Sequence, residues 1–176
     1  MKVEITRWKT NTKEDKHRKG SIKKCVVEVG YGDDWNSDWT IATIVLPLLK
    51  KLKENKHSAP CVDDEDVPEE LRSTSCAPKE NEWDTDENFF KRWDYVMDEI
   101  IFAMEEIASD NANEPSLYTK EGDIVFGEID KETGVGSITF EGYEETKDSP
   151  EAYNNYHARI RNGCRLFGIH FQNMWT

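Results

Sequence analysis

No CxxC pair occurs among the 4 cysteines, Cys25, Cys61, Cys76 and Cys164, so the paired-thiolate signature of a structural zinc site is missing. No G-x-S-x-G elbow, P-loop, G-x-G-x-x-G or H-E-x-x-H occurs. That removes the motif-bearing hydrolases, the nucleotide-cradling loops and the helical zinc proteases. Long apolar runs are also lacking: the longest, over 41–49, contains Pro47, is followed by Lys50 and Lys51, and is too short to span a bilayer. Residues 1–20 hold no apolar stretch of the kind a secretory signal needs. The expectation is a soluble, intracellular chain with four reduced thiols, two or more of them buried as small apolar residues. Positive charge is scarce, with 23 Lys and Arg against 36 Asp and Glu and a net charge of −13. A general nucleic-acid binder needs cations to displace phosphate counterions, so that balance argues against one.

What is present points to a folded protein with a polar exterior. The chain has 176 residues, the size of one domain. Aromatic residues reach 11% and include 6 Trp, whereas disordered acidic chains are poor in aromatics. Charge is segregated: residues 1–57 carry 13 basic and 8 acidic side chains, and residues 58–176 carry 10 and 28, so +5 is followed by −18. Such polarity bears on partners rather than on fold.

Periodicity gives a coarse architecture. Residues 3–8 alternate as a strand, 9–20 read as a loop or long turn, and 25–29 form a second strand closed by a turn at 30–34. Ser37 or Asp38 caps a helix running to about residue 56, with Ile41, Ile44, Val45, Leu48, Leu49 and Leu52 at helical spacing and Pro47 as a kink point. Residues 57–86 contain Pro60, Pro68 and Pro78 and little periodicity, with one short helical turn expected from Pro68. The helix over 86–109 is the clearest element. Phe89, Phe90, Trp93, Val96, Met97, Ile100, Ile101, Met104 and Ile107 make its apolar stripe, and Asp94, Asp98, Glu99, Glu105 and Glu106 its polar remainder. Residues 122–128 and 135–142 form a hairpin, and Ser149-Pro150 starts a last helix in which Gly163 and Gly168 predict close packing or a break. The fold class is α+β, with about three principal helices on a small antiparallel sheet made by the N-terminal strands and the hairpin. Helical packing with a peripheral hairpin is the alternative.

Candidate chemistry is sparse. Asp63 to Asp66 and Asp84, Asp86 and Glu87 offer oxygen ligands for hard cations, but the spacing of a calcium loop is absent. No metal ligand set and no cofactor is expected, and no residue reads as catalytic. His17, His57, His157 and His170 are isolated, and a packing role suits His170. Asp94 and Asp98 lie four apart on one helix, a mild repulsion that points to a cationic partner. Acid-flanked tryptophans are the most unusual feature: Trp35, Trp39 and Trp83 stand at element ends, where an indole suits an interface.

The run Val62-Asp63-Asp64-Glu65-Asp66-Val67-Pro68-Glu69-Glu70-Leu71-Arg72-Ser73-Thr74 is followed by Ala77-Pro78-Lys79-Glu80-Asn81-Glu82-Trp83-Asp84-Thr85-Asp86-Glu87-Asn88 and Phe90-Lys91-Arg92-Trp93-Asp94. With Arg161-Asn162-Gly163-Cys164-Arg165-Leu166-Phe167-Gly168 and Asn173-Met174-Trp175, these segments resemble a family of small acidic proteins of tailed, T4-like and often marine bacteriophages. The resemblance covers residues 39–175 and implies synthesis in the cytoplasm of a bacterial host; it implies no activity. Charge, tryptophans and missing motifs together predict a non-enzymatic binding protein. It would engage a basic surface on a host or phage protein, as an inhibitor of a host defence or host machine, through Asp63, Asp64, Glu65, Asp66, Glu69, Glu70, Trp83, Asp84 and Asp86. One alternative is a virion or assembly component using the same surfaces for homo-oligomeric contacts. The other is a metal- or nucleotide-binding protein. Binding to a membrane is not expected.

Overall fold

The computed structural model describes residues 2–7, 22–30, 35–81, 83–115, 118–120, 122–142, 144–145 and 149–175. The expected turns over 9–20 and 31–34 lie outside the described residues. The chain divides into two compact units, Met1–Ile41 and Ala42–Thr176. The first holds an antiparallel pair, β1 (Lys2–Arg7) and β2 (Ile22–Glu28), with Val3 opposite Val27 and Ile5 opposite Cys25 and one irregularity between Thr6 and Arg7. β2 begins three residues before the β-branched run that marks it in the sequence.

The second unit is built on helices. α1 (Ser37–Asn55) runs through Pro47 without an interruption and contributes Ala42 and Leu49 to the core. α2 (Phe89–Ala108) and α3 (Ser149–His170) form the main packing pair. Trp93 meets His170, Glu99 meets Arg159, and Glu106 meets Tyr156, so the two helices run antiparallel. Trp93, Val96, Met97, Ile100 and Met104 from α2 join Leu166 from α3 and Val62 and Val67 from the acidic connection in one cluster. Burying side chains of this size stabilises a fold by ~1.5–3 kcal/mol each. The stripe read from periodicity is therefore the core, except that Phe90 is half exposed.

Gly163 stands where α3 comes nearest to α2. A Cβ there would meet the Glu99 carbonyl oxygen and lie 2.5 Å from the Ala103 Cβ. Only a hydrogen fits that space, which is the close approach the sequence predicts. Gly168 behaves differently: a Cβ there meets nothing within 4 Å, and the helix continues through it.

Between α2 and α3 lies a two-part hairpin. β3 (Tyr118–Lys120) pairs with β6 (Glu144–Glu145), and β4 (Asp123–Ile129) pairs with β5 (Gly136–Glu141), all antiparallel. The fold is α+β as expected. β3 and β6 are too short to register as period-2 runs. Within β4 and β5 every residue is exposed except half-buried Gly127, so the helical core does not rest on this sheet. The packing is the helical alternative, with the hairpin outside the core.

Two polar readings are corrected. Glu99 and Glu106, assigned to the polar remainder of α2, are buried. None of the four cysteines is fully buried; Cys76 is half-buried and the others are exposed. Each is a free thiol.

His170 has the packing role expected of it, at 3% exposure against the Trp93 ring 5.2 Å away. Neither ring nitrogen has a hydrogen-bond partner among the described residues. Burial lowers its pKa below 6.5, against the pull of Asp66 and Asp63 from the acidic connection, while Arg165 on its own helix adds to the lowering. The unfolded chain takes up this proton near pH 6.5 and the folded chain takes it up only at lower pH. Stability therefore falls as pH drops below about 6.5. Urea denaturation at pH 7.5 and pH 5 measures this, and His170→Phe should remove the loss over that interval.

Candidate functional site

The acidic connection is a bonded structure rather than a solvated run. Three single 3-10 turns, Asp64–Asp66, Glu69–Leu71 and Ser73–Ser75, succeed one another, and the expected turn after Pro68 is the middle one. Their backbone groups are paired locally, for example Leu71 N–H to the Pro68 carbonyl at 3.0 Å and Ser75 N–H to the Arg72 carbonyl at 3.0 Å. Asp64 ties the first turn to the third: it accepts the Ser73 N–H at 2.7 Å and the Ser73 hydroxyl. These two donors hold its carboxyl below the ordinary carboxylate range.

Asp86 and Arg92 fasten this segment to α2. The Arg92 guanidinium donates to both Asp86 oxygens, at 2.9 and 2.7 Å, and both side chains are nearly fully buried. Arg92 also donates to the Leu71 carbonyl at 3.1 Å, and Asn88 donates to the Glu70 carbonyl at 3.0 Å. Asp86 further accepts the N–H of Asn88, the residue that precedes α2, at 2.9 Å, and the Cys76 thiol at 3.4 Å. The Arg92 hydrogen bonds, helped by those from Cys76 and Asn88, outweigh burial and draw the Asp86 pKa down to about 2. Bidentate charge-assisted pairing of this kind fixes geometry as well as charge.

The nine residues singled out in the sequence thus divide. Asp64 and Asp86 are taken up internally, as is Asp66, which accepts from Arg165 on α3 at 2.6 Å. Asp63, Glu65, Glu69 and Glu70 are exposed and have no ion-pair partner among the described residues. Asp63, Asp64 and Asp86 line one shallow cleft of about 360 Å³ together with Lys79 and Arg92. Trp83 is 92% exposed, on a turn closed by Asp84 N–H to the Asn81 carbonyl at 3.2 Å and by the Asn81 amide to the Asp84 carboxylate at 2.9 Å. Glu82, beside it, lies outside the described residues. Trp35 and Trp39 are exposed as well.

The cationic partner implied by Asp94 and Asp98 is internal. Lys56, just past the end of α1, pairs with Asp94 at 2.5 Å, and from α1 Lys53 pairs with Asp98 and Lys50 pairs with Glu105 at 2.6 Å. Sequence reasoning also missed the buried polar groups between α2 and α3. Arg159 clamps Glu99 at 2.7–3.1 Å and lies 3.7 Å from the centre of the Phe102 ring. Glu106 accepts from the Tyr156 hydroxyl at 2.7 Å and the Asn113 amide at 2.9 Å. Burial works to raise the Glu106 pKa, but these donors outweigh it and leave the group below its usual value. Burial and the neighbouring Glu106 push the Tyr156 hydroxyl well up. Spacing held a signal for these groups: Glu99 stands three residues after Val96 and four before Ala103, and Glu106 three after Ala103, on the buried side of α2.

The chain matches no family model, no curated protein and no solved structure. Its own geometry therefore carries the functional reading. Among the described residues no three His, Cys, Asp or Glu side chains are grouped to hold a metal ion, and no helix is long and apolar enough to cross a membrane.

Proposed function

We propose that the chain is a non-enzymatic binding protein that engages a basic protein surface, with Trp83 as its anchor. The single observation that carries the reading is the Trp83 indole, 92% exposed on a turn whose backbone and side chains are hydrogen-bonded. An indole in water is a large unfilled apolar area, and holding it on a closed turn lowers the entropy lost on binding. Exposed acids at Asp63, Glu65, Glu69, Glu70 and Asp84 lie in the same segment and supply the field that draws a cationic partner in. Asp64, Asp66 and Asp86 keep that segment in shape. The resemblance to phage proteins supports a bacterial host as the setting and a host defence protein or host machine as the target.

Trp83→Ala tests the reading. Against the partner that the wild-type chain captures from host cells, the variant should lose ~30-fold or more in affinity, the effect of removing a hot-spot tryptophan. Its melting temperature should not move, because so exposed an indole contributes little to the core. Charge reversal at Glu65, Glu69 and Glu70 should slow association and flatten its salt dependence. Full affinity in Trp83→Ala would refute the proposal.

A further inference from the structure

Among the described residues Glu106 is a buried carboxylate with no cation paired to it. It is 5% exposed, and two neutral donors hold it, the Tyr156 hydroxyl and the Asn113 amide. Those donors keep it ionised in spite of burial. The other buried carboxylates, Asp66, Asp86 and Glu99, each face a guanidinium. A charge taken out of water is ordinarily paired, because its lost hydration is otherwise unreplaced. The shortage of positive charge extends around it. From Trp93 to Thr119 the chain holds seven Asp and Glu and no Lys or Arg. Arg159, which acts on Glu106 from a distance, is engaged by Glu99. α2 also carries Glu105 and Glu106 in its last turn and no basic residue there. The helix dipole makes that end negative, so charge and dipole add where they usually cancel.

Glu106 lines an open cleft of about 400 Å³ together with Glu105, Leu46, Ala108, Ser109 and Asn113. The donors beside it are already engaged. The Ser109 hydroxyl donates to the Glu106 carbonyl at 3.1 Å, and the Asn113 amide donates to the Glu106 carboxylate at 2.9 Å. What these groups still offer is oxygen: a hydroxyl, an amide carbonyl and the remaining lone pairs of the carboxylate. Glu105 is matched by Lys50 at 2.6 Å. An ammonium group brings three donors and no acceptor, which answers such a set. Two carboxylates, one of them paired, fall short of the oxygen shell that a hard metal ion takes. Leu46 and Ala108 give the cleft an apolar wall, which suits a hydrocarbon stem.

We infer that this cleft binds a primary ammonium group carried on a short apolar stem, with the head at Glu106, Ser109 and Asn113 and the stem along Leu46 and Ala108. The head supplies the charge that Glu106 lacks, and the stem supplies the burial that separates an alkylamine from a bare cation. The site goes beyond the binding function proposed above and shares no residue with it, so either can fail alone.

Nuclear magnetic resonance titration of the full chain with n-butylamine, protonated at neutral pH, tests it. The amine should shift the amides of Glu106, Ser109 and Asn113 and bind about tenfold or more tighter than 1-butanol, the ratio expected for a charge-assisted hydrogen bond. Glu106→Gln should weaken butylamine by a similar factor. Leu46→Ala leaves the oxygens in place, so it should weaken butylamine and leave methylamine unchanged. The peptide Ala-Ala-Lys-Ala-Ala, acetylated and amidated, distinguishes the sources of the head. Binding as tight as that of butylamine assigns it to a lysine side chain, and weaker binding assigns it to a free amine. Equal binding of butylamine and butanol overturns the inference, as does the same set of shifts from magnesium chloride. Absence of shifts at these three amides with millimolar butylamine overturns it too.

Discussion

Gly163→Val lowers the melting temperature by ~10 °C, corresponding to ~3 kcal/mol or more for a chain of this size. No rotamer relieves the clash, because the first atom added already collides with the Glu99 carbonyl and the Ala103 methyl. Relief requires α2 and α3 to move apart, which opens the contacts of Trp93, Val96, Ile100 and Leu166 at once. Gly168→Ala is the internal control. It adds a Cβ methyl to the same helix in open space, so only the helix-propensity gain of ~1 kcal/mol remains and the protein becomes more stable. Thermal denaturation followed by circular dichroism compares the two directly. Opposite signs are expected. Stabilisation by both substitutions would remove Gly163 from the packing argument.

Arg92→Met destabilises the chain by ~3–5 kcal/mol, the cost of leaving a buried carboxylate without its partner. The same substitution frees the Leu71 carbonyl, so the effect is not confined to α2. The connection over 57–86 loses its main attachment and becomes a site of early proteolytic cleavage. Asp86→Leu combined with Arg92→Met removes both charges and should recover part of the loss, as apolar replacement of buried pairs often does. The acid limb of stability follows from the same pair. Asp86 binds its proton near pH 3.8 when unfolded and near 2 when folded, so its contribution is present above pH 4 and disappears towards pH 2. In Asp86→Asn the slope of stability against pH over that interval should flatten.

Sequence made the helical half of this fold readable because Trp93, Val96, Met97, Ile100 and Met104 repeat with the helix period, and a period survives without knowledge of tertiary partners. The hairpin was readable from alternation at Ile124, Phe126, Ile138 and Phe140 for the same reason. The acidic connection was not. Its three turns are each a single turn long and carry no period, and the side-chain bonds that tie them together run from Ser73 to Asp64 or from Arg92 to Leu71 rather than between neighbours. Composition presented the acids as one class, whereas the fold separates Asp64, Asp66 and Asp86 from Glu65, Glu69 and Glu70 through partners as distant as Arg165. Trp83 was singled out by its acidic neighbours, but its exposure depends on the Asn81–Asp84 turn, which a propensity for turns does not locate to the residue. Glu99 and Glu106 were misplaced because charge is ordinarily a marker of solvent, and their partners Arg159 and Tyr156 lie 60 and 50 residues away.

Because α2 and α3 run side by side in opposite senses, the polypeptide leaves the core and returns to it at neighbouring points, with the whole strand-bearing excursion in between. Such an insert is topologically dispensable. A short linker in its place would preserve the helical scaffold and, by shortening the loop to be closed, would ease the meeting of the two helices during folding. The same geometry lets the excursion vary in length and sequence across evolution without any change in what the scaffold buries.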